Sequence, residues 1–384
     1  MSTRLDHWVN PAPFDPEERE ATTPAQERYY QASQWQIMWW KFRHHRLAVI
    51  SAAVLAFFYL VVVFAEVLAP YNLHSRHTDY IYAPPQDIHI FRDGRLVAPY
   101  TLALDYHLDM ENLRRVYTPM EDEPRPVRFF CLGDSYRFWG LFESRFHLVC
   151  APENGTLFVL GTDRLGRDLL SRIIYGARIS LTIGLISIVV SFTIGIVIGG
   201  LAGYYGGWID AATQRTIEVV RSFPEIPLFM ALSALLPVDW SPIAIFFGIT
   251  IILALLDWPG LARAVRSKLL ALREEDFASA ARLMGASPRR IIAKHLLPSF
   301  ASHLIASATL SIPTMILGET ALSFLGLGLR PPITSWGVLL NEAQNISVVV
   351  LYPWLMLPVV PVILVVLAFS FLGDGLRDAA DPYK

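Results

Sequence analysis

The stretch Asp276-Phe277-Ala278-Ser279-Ala280-Ala281-Arg282-Leu283-Met284-Gly285-Ala286-Ser287-Pro288-Arg289-Arg290 lies between two long apolar runs, Pro242 to about Trp258 and about Phe300 to Leu325. Asp276 to Met284 reads as one helix. Gly285 suits a left-handed helix stop, Ser287 can cap the next helix and Pro288 fits its first turn. A second helix is expected from Arg289 to Leu297, with Pro298 after it. On pattern alone, two short helices joined by a stiff corner serve equally well as a mechanical contact for another protein or as a basic hairpin held on anionic lipid.

Working outward, crossing about 30 Å of hydrocarbon takes roughly 20 mostly apolar residues. Six runs qualify: Leu47 to Ala69, about Ile179 to Tyr204, about Ala211 to Leu236, Pro242 to about Trp258, about Phe300 to Leu325 and about Val348 to Leu372. The first lacks a small-residue cleavage site and follows a leader too long for a signal peptide, so it reads as a retained span. Lys41, Arg43 and Arg46 place the N-terminus inside, because cationic loops stay cytoplasmic. An even number of spans brings the C-terminus back inside and makes the connection around Gly285 internal. That connection carries Arg263, Arg266, Lys268, Arg273, Arg282, Arg289, Arg290 and Lys294 against Glu274, Glu275 and Asp276, so two separate basic clusters agree on one topology.

Composition points the same way: 53% of the 384 residues are hydrophobic, which indicates a multi-span membrane protein. The net charge of −2 argues against a nucleic-acid binder. Two cysteines are too few for a four-thiolate zinc site. The chain contains no G-x-x-x-x-G-K-[ST], H-E-x-x-H or G-x-S-x-G, so the commonest ATPase, metalloprotease and serine-hydrolase signatures are missing. No catalytic, cofactor or metal residues are assigned.

The expected layout is a cytoplasmic segment over 1–46, a first span over 47–69, an external insertion over 70–160, an amphipathic outer-face helix over 161–178, a five-helix core over 179–372 with an internal loop over 259–299, and a cytoplasmic tail over 373–384. The leader to about Arg28 is expected to be mobile, and Trp35, Trp39 and Trp40 read as an interfacial belt or short surface helix. The insertion holds strand-like runs, Ile88 to Phe91 and Phe146 to Val149, and turn signals at Asp93-Gly94 and Pro84-Pro85. Cys131 and Cys150 both fall in it. A bridge worth about 3 kcal/mol in the chain-entropy model is preferred over two buried thiols.

Further residues carry two readings each. From Arg164 to Arg178 the apolar positions recur at helical spacing, with Arg167, Asp168 and Arg172 on the polar side. Gly195 and Gly199 form a G-x-x-x-G that packs helices within the chain or contacts another subunit. Glu319, inside the fifth run, belongs to a pathway or subunit interface, or hydrogen-bonds a neighbouring helix. Glu218 and Arg221 can pair on one helix face, and Pro224 breaks or kinks that helix. His303 is expected to be a structural hydrogen-bonder. Trp336 supports the outer mouth or a docking surface, or sits in an aromatic belt.

Ser279-Ala280-Ala281-Arg282-Leu283-Met284-Gly285, followed by His295-Leu296-Leu297-Pro298, resembles the EAA loop of permease subunits of ATP-binding-cassette importers. More specifically, the chain resembles the C-type permease of dipeptide and oligopeptide importers. The matching stretches are Gly161-Thr162-Asp163-Arg164-Leu165-Gly166-Arg167-Asp168 with Tyr175-Gly176-Ala177-Arg178, Ala321-Leu322-Ser323-Phe324-Leu325-Gly326-Leu327-Gly328, and Gly373-Asp374-Gly375-Leu376-Arg377-Asp378 with Asp381-Pro382. Two departures stand in the loop: Ser279 replaces the usual acidic residue, and His295 an aliphatic one.

The resemblance implies an all-α membrane protein with six transmembrane helices of the type I importer permease kind and an inserted periplasmic domain of mixed structure. It implies a bacterial inner-membrane location, a homologous B-type permease, two cytoplasmic ATPases that bind ATP and Mg, a periplasmic solute-binding protein, contact with lipid and no nucleic-acid partner. Ser279, Ala280, Ala281, Gly285, Ala286, Ser287, Pro288, His295, Leu297 and Pro298 would form the ATPase-coupling loop, and Glu319 and Pro224 would belong to the translocation pathway or subunit interface. The expected activity is peptide import by alternating access. An ion-driven carrier and a membrane-anchored receptor acting through its external domain are the alternatives.

Overall fold

A computed structural model describes residues 31–92, 94–111, 114–153, 155–237 and 239–380. The leader to Arg28, the turn residue Asp93 and the Asp381-Pro382 ending lie outside the described residues. Helix α1 (Gln34–His44) begins in a capping box, in which the Ser33 hydroxyl accepts from the Gln36 N–H and the Gln36 side chain accepts from the Ser33 N–H. Then come α2 (Arg46–Val63), the short α3 (Ala65–Leu68), and strands β1 (His89–Arg92), β2 (Arg95–Asp109), β3 (Arg114–Pro126), β4 (Arg128–Phe138) and β5 (Phe142–Cys150). The chain continues as α4 (Leu169–Tyr205), α5 (Gly207–Arg221), α6 (Glu225–Ala234), α7 (Pro242–Leu272) and α8 (Asp276–Leu283). A corner made of α9 (Pro288–Arg290), a π turn (Ile291–Leu296) and α10 (Leu297–Ser299) leads into α11 (Ala301–Phe324). The chain ends with α12 (Trp336–Glu342), α13 (Ile346–Leu351), a 3-10 turn (Pro353–Met356) and α14 (Val359–Ala380).

Five helices among the described residues are long and apolar enough to cross a membrane: α2, α4, α7, α11 and the continuous Pro353–Ala380 segment. The expected third span, 211–236, is instead two shorter helices, α5 and α6, parted at Ser222-Phe223-Pro224. Pro224 lacks an N–H and pushes Phe223 out of helical geometry. Asp210, Arg215, Glu218 and Arg221 also make α5 too polar to qualify.

Other boundaries move as well. The separate helix expected over 161–178 does not form; residues 161–168 are a loop, and Asp168 caps α4, accepting from the Ser171 N–H at 2.7 Å, so that one helix continues for 37 residues. The fourth span runs past Pro259 to Leu272 rather than ending near Trp258. The last begins later than Val348 and extends to Ala380, so most of the expected tail over 373–384 is helix packed in the bundle, with Gly373, Gly375 and Ala379 buried.

The β strands form a three-stranded sheet in the order β1-β2-β3 and a separate β4-β5 hairpin, all antiparallel. Cys131 and Cys150 are joined by a disulfide across that hairpin. A small aromatic core of Tyr71, Ala83 and Phe158, flanked by Tyr80 and Tyr117, lies under the larger sheet.

The main helical core gathers Leu181 and Ile183 of α4, Leu253 of α7, Ile316 of α11, Val365 of α14 and Trp336. Trp336 is fully buried and donates its indole N–H to the Ile173 carbonyl at 3.1 Å, so it is neither a belt nor a docking residue. The small-residue face of α4 packs on α7 within the chain. A Cβ placed on Gly199 would lie 2.3 Å from the Ala262 carbonyl oxygen, so only glycine permits this approach. Ser187 and Ser191 hold the same face, donating to the Thr250 carbonyl and to Asp257.

Candidate functional site

The elbow between α7 and α11 is built as its local chemistry dictates. Helix α8 ends in a Schellman motif: the Ala286 N–H reaches the Ala281 carbonyl at 3.1 Å, and the Gly285 N–H reaches the Arg282 carbonyl at 3.0 Å. Gly285 has φ +80° with open space around it, so backbone conformation rather than room selects glycine there. Ser287 occupies the N-cap position of α9 with Pro288 next, but its side chain makes no capping hydrogen bond. The expected helix from Arg289 to Leu297 widens into the π turn over Ile291–Leu296 and, instead of stopping before Pro298, continues through it as α10.

The inner face of the elbow, Ala278 and Ala281, is buried with Ile291, Leu296 and Phe300 against Leu261, Val265 and Leu269 of α7. The outer face is open. Leu283 is 89% exposed and Met284 81% exposed at the tip, and Ala280, Gly285, Ser287, Pro288 and Pro298 are also exposed. Ser279, Ala286, His295 and Leu297 are half-buried. Two bulky apolar side chains are thus held outward, uncovered by the rest of the described residues, at the tip of the corner.

The elbow is tied to the bundle by three arginines of the basic connection, Arg266, Arg273 and Arg282. Arg273 donates to the Gly203 and Tyr204 carbonyls at 3.3 and 3.1 Å, neutralising the open end of α4. Arg282 in turn donates to the Arg273 carbonyl at 3.3 Å. Arg266 of α7 makes a two-point ion pair with Asp210 of α5, and the hydrogen bonds from that guanidinium hold the Asp210 carboxyl below the usual carboxylate range. These contacts join the base of the elbow to the end of α4, and α7 to α5.

Glu319 is fully buried and bound to three serines from three elements. Ser335 and Ser323 donate to one of its oxygens at 2.7 and 2.8 Å, and Ser180 donates to the other at 3.1 Å. Each hydroxyl also accepts a backbone N–H, from Val338, Leu329 and Trp336 respectively. The carboxylate thus orders the loop between α11 and α12, so the hydrogen bonds to neighbouring elements that were expected of it are present. Glu218 pairs with Arg215 at 2.9 Å rather than with Arg221. His303 is half-buried on α11. Pro224 adjoins a cavity of about 410 Å³ lined by Arg221, Phe223, Glu225 and Asp257 among others.

Near the β strands a second ionic cluster is buried. Asp163 accepts from Arg167 at 2.6 Å and from Arg172, while Glu342 of α12 accepts from Arg167 at 3.1 Å and from Arg172 at 3.0 Å. Arg167 and Arg172, expected on the exposed side of a surface helix, are nearly inaccessible because these acids neutralise them. Nothing in the local pattern announces Glu342, which lies 170 residues from Arg172.

Comparison with known proteins agrees with this architecture. Residues 195–383 match the binding-protein-dependent transport system inner membrane component family, and residues 33–85 match the N-terminal transmembrane domain of oligopeptide transport permease C. The dipeptide transport system permease protein DppC of Alkalihalophilus pseudofirmus is 41% identical over 223 residues, covering 58% of this chain and 71% of that protein. The chain belongs to this permease family.

Other members include the glutathione transport system permease protein GsiD of Pectobacterium atrosepticum, 40% identical over 58% of this chain and 72% of its own, and DppC of Bacillus subtilis, 39% identical over 58% of this chain and 68% of its own. A chain of the MetNI methionine ABC transporter in an inward-facing conformation aligns with 55% of this permease and 97% of its own length at 24% identity and a TM-score of 0.41. The two family matches meet the bundle on either side of the β strands, leaving residues 86–194 of this permease between them.

Proposed function

We propose that this permease forms one half of the transmembrane path of an ATP-driven peptide importer, with the elbow as the point where force enters. The reading counts α5 and α6 together as one interrupted crossing, which keeps the number of crossings even and puts the β strands on the periplasmic side and both termini and the elbow in the cytoplasm, with a homologous B-type permease completing the path. Two ATPase subunits would bind ATP and Mg and dock on the elbow, and a periplasmic binding protein would deliver the peptide. Closure of the ATPases on ATP would push the elbow; through Arg273, Arg282 and the Asp210–Arg266 pair the motion would pass to α4, α5 and α7, and the path would alternate between its two openings. On this reading the chain hydrolyses no ATP by itself.

The observation that carries the proposal is the outward presentation of Leu283 and Met284 on a corner whose opposite face is locked into α7. Burial of such side chains in a partner is worth roughly 1.5–3 kcal/mol each. Replacing both with serine should detach ATPase subunits from the purified assembly and abolish ATP-dependent uptake of tri-alanine in proteoliposomes. Retained ATPase subunits with undiminished uptake would count against the elbow as the docking site.

A further inference from the structure

The break between α5 and α6 leaves charges where a membrane protein keeps them only for a purpose. Arg221 closes α5, whose 15 residues place it about 22 Å along the helix from Gly207. Asp257 lies a similar distance along α7 from Pro242, again about 22 Å. Asp257 is thus at the middle of a 31-residue helix long and apolar enough to cross a membrane, with about 22 Å of helix on either side, and Arg221 lines the same cavity. Ionised side chains at such depth are rare and face an aqueous cavity, a partner or a substrate.

These charges surround the cavity of about 410 Å³, inside the range of roughly 300–1,000 Å³ typical of small-ligand sites. Arg221 and Glu225 are exposed to it and form no ion pair among the described residues. Asp257 is half-buried, with one carboxylate oxygen accepting from Ser191 at 2.9 Å. The Arg221 guanidinium rests against α7 at Gly260, where a Cβ would come within 2.8 Å of its Nη2, so the cationic and anionic groups share one wall of the cavity. Helix α6 starts there without a side-chain cap, and its N-terminal end adds positive potential. A discontinuous helix whose ends meet opposite charges at mid-depth is a general arrangement for holding a charged solute in transit.

We propose that this cavity is an intramembrane subsite for the charged ends of a peptide, with Arg221 receiving the terminal carboxylate and Asp257 with Glu225 receiving the α-ammonium. The inference rests on the permease reading above and adds where the solute pauses. A guanidinium suits a carboxylate through two parallel hydrogen bonds, and two carboxylates suit the three donors of an ammonium. The subsite reads only the zwitterion, so side-chain selection falls elsewhere.

The test uses the full complex with its partner permease, ATPases and binding protein in proteoliposomes, with radiolabelled tri-alanine as the probe and peptide delivered per ATP hydrolysed as the readout. Arg221→Gln and Asp257→Asn should each lower that ratio about tenfold, the effect of one charge-assisted hydrogen bond. The charge-retaining Arg221→Lys and Asp257→Glu should recover most of it. Neutral variants that match the wild type, or charge-retaining variants that lose as much as the neutral ones, overturn the subsite while leaving the permease reading intact. Loss of the partner permease on purification of the neutral variants also overturns it, assigning the charges to the subunit interface. Wild-type complex that takes up no tri-alanine with ATP defeats the peptide-import reading, and the subsite with it.

Discussion

Arg178 of α4 grips Glu66 of α3 with two guanidinium nitrogens, each 2.6 Å from a carboxylate oxygen, and on top of that pair lies Trp139 from the turn between β4 and β5. The Trp139 N–H donates to Glu66 at 3.2 Å, its indole N–H donates to the Val63 carbonyl at 3.0 Å, and the guanidinium sits 4.1 Å from its ring centroid. One ion pair therefore clamps the hairpin, the end of α2 and the start of α4 together.

Glu66→Ala should cost about 3–5 kcal/mol, because it leaves Arg178 charged and without its partner in a site where that side chain is only 17% exposed. Thermal unfolding of the purified complex, with limited proteolysis of the hairpin, measures it. A double variant, Glu66→Leu with Arg178→Met, should regain most of the loss; a double variant as unstable as the sum of the singles would show that the two side chains act independently.

Gly199→Leu should separate α4 from α7 and destabilise the assembly by about 1–3 kcal/mol or more, since its Cβ collides with backbone rather than with a side chain that can move. Gly200→Ala is the control. Its Cβ would meet nothing nearer than 3.8 Å, and its melting behaviour should stay close to that of the parent chain.

At Gly285 the requirement is conformational, so the ranking of substitutions differs. A β-branched residue in the left-handed region costs about 1–2 kcal/mol, whereas asparagine visits it readily. Gly285→Val should therefore uncouple ATP hydrolysis from peptide uptake, and Gly285→Asn should keep at least half of the coupling. Equal behaviour of the two variants in a paired hydrolysis and uptake assay would refute the backbone argument.

The Asp210–Arg266 pair sets a pH dependence of known sign. Asp210 titrates below its unfolded value of about 3.9, so the pair contributes fully above about pH 4 and its contribution fades as pH falls through the lower folded value. Comparing melting of the wild type with Asp210→Asn between pH 3 and 7 should show a stability gap that is constant at the upper end and closes at the lower. A gap that widens on acidification would contradict the assignment.

Much of the elbow was legible in residues 276–298, because a helix stop, a proline start and an apolar inner face are local properties. Gly285 lies where the left-handed turn requires it, and Pro288 opens the following helix. The π turn was not legible, since Ile291 to Leu296 carries an ordinary helical pattern. Arg167 and Arg172 looked like the polar side of a surface helix because an amphipathic pattern is the same whether its charges meet water or buried acids. Pro224 alone is compatible with a break or a kink in one span, and the polarity of α5 goes with the outcome of two short helices.

Residue order alone determined the long apolar segments, the basic connection between two of them and the bend at Gly285, for these follow from transfer of side chains out of water and from allowed backbone angles within a few residues. Only the tertiary structure decided that Trp336 is core, that the glycine face of α4 meets α7 of its own chain, and that Arg172 is neutralised by an acid 170 residues away. A buried charge is tolerable only once its partner arrives, and which partner arrives is settled by how the helices pack.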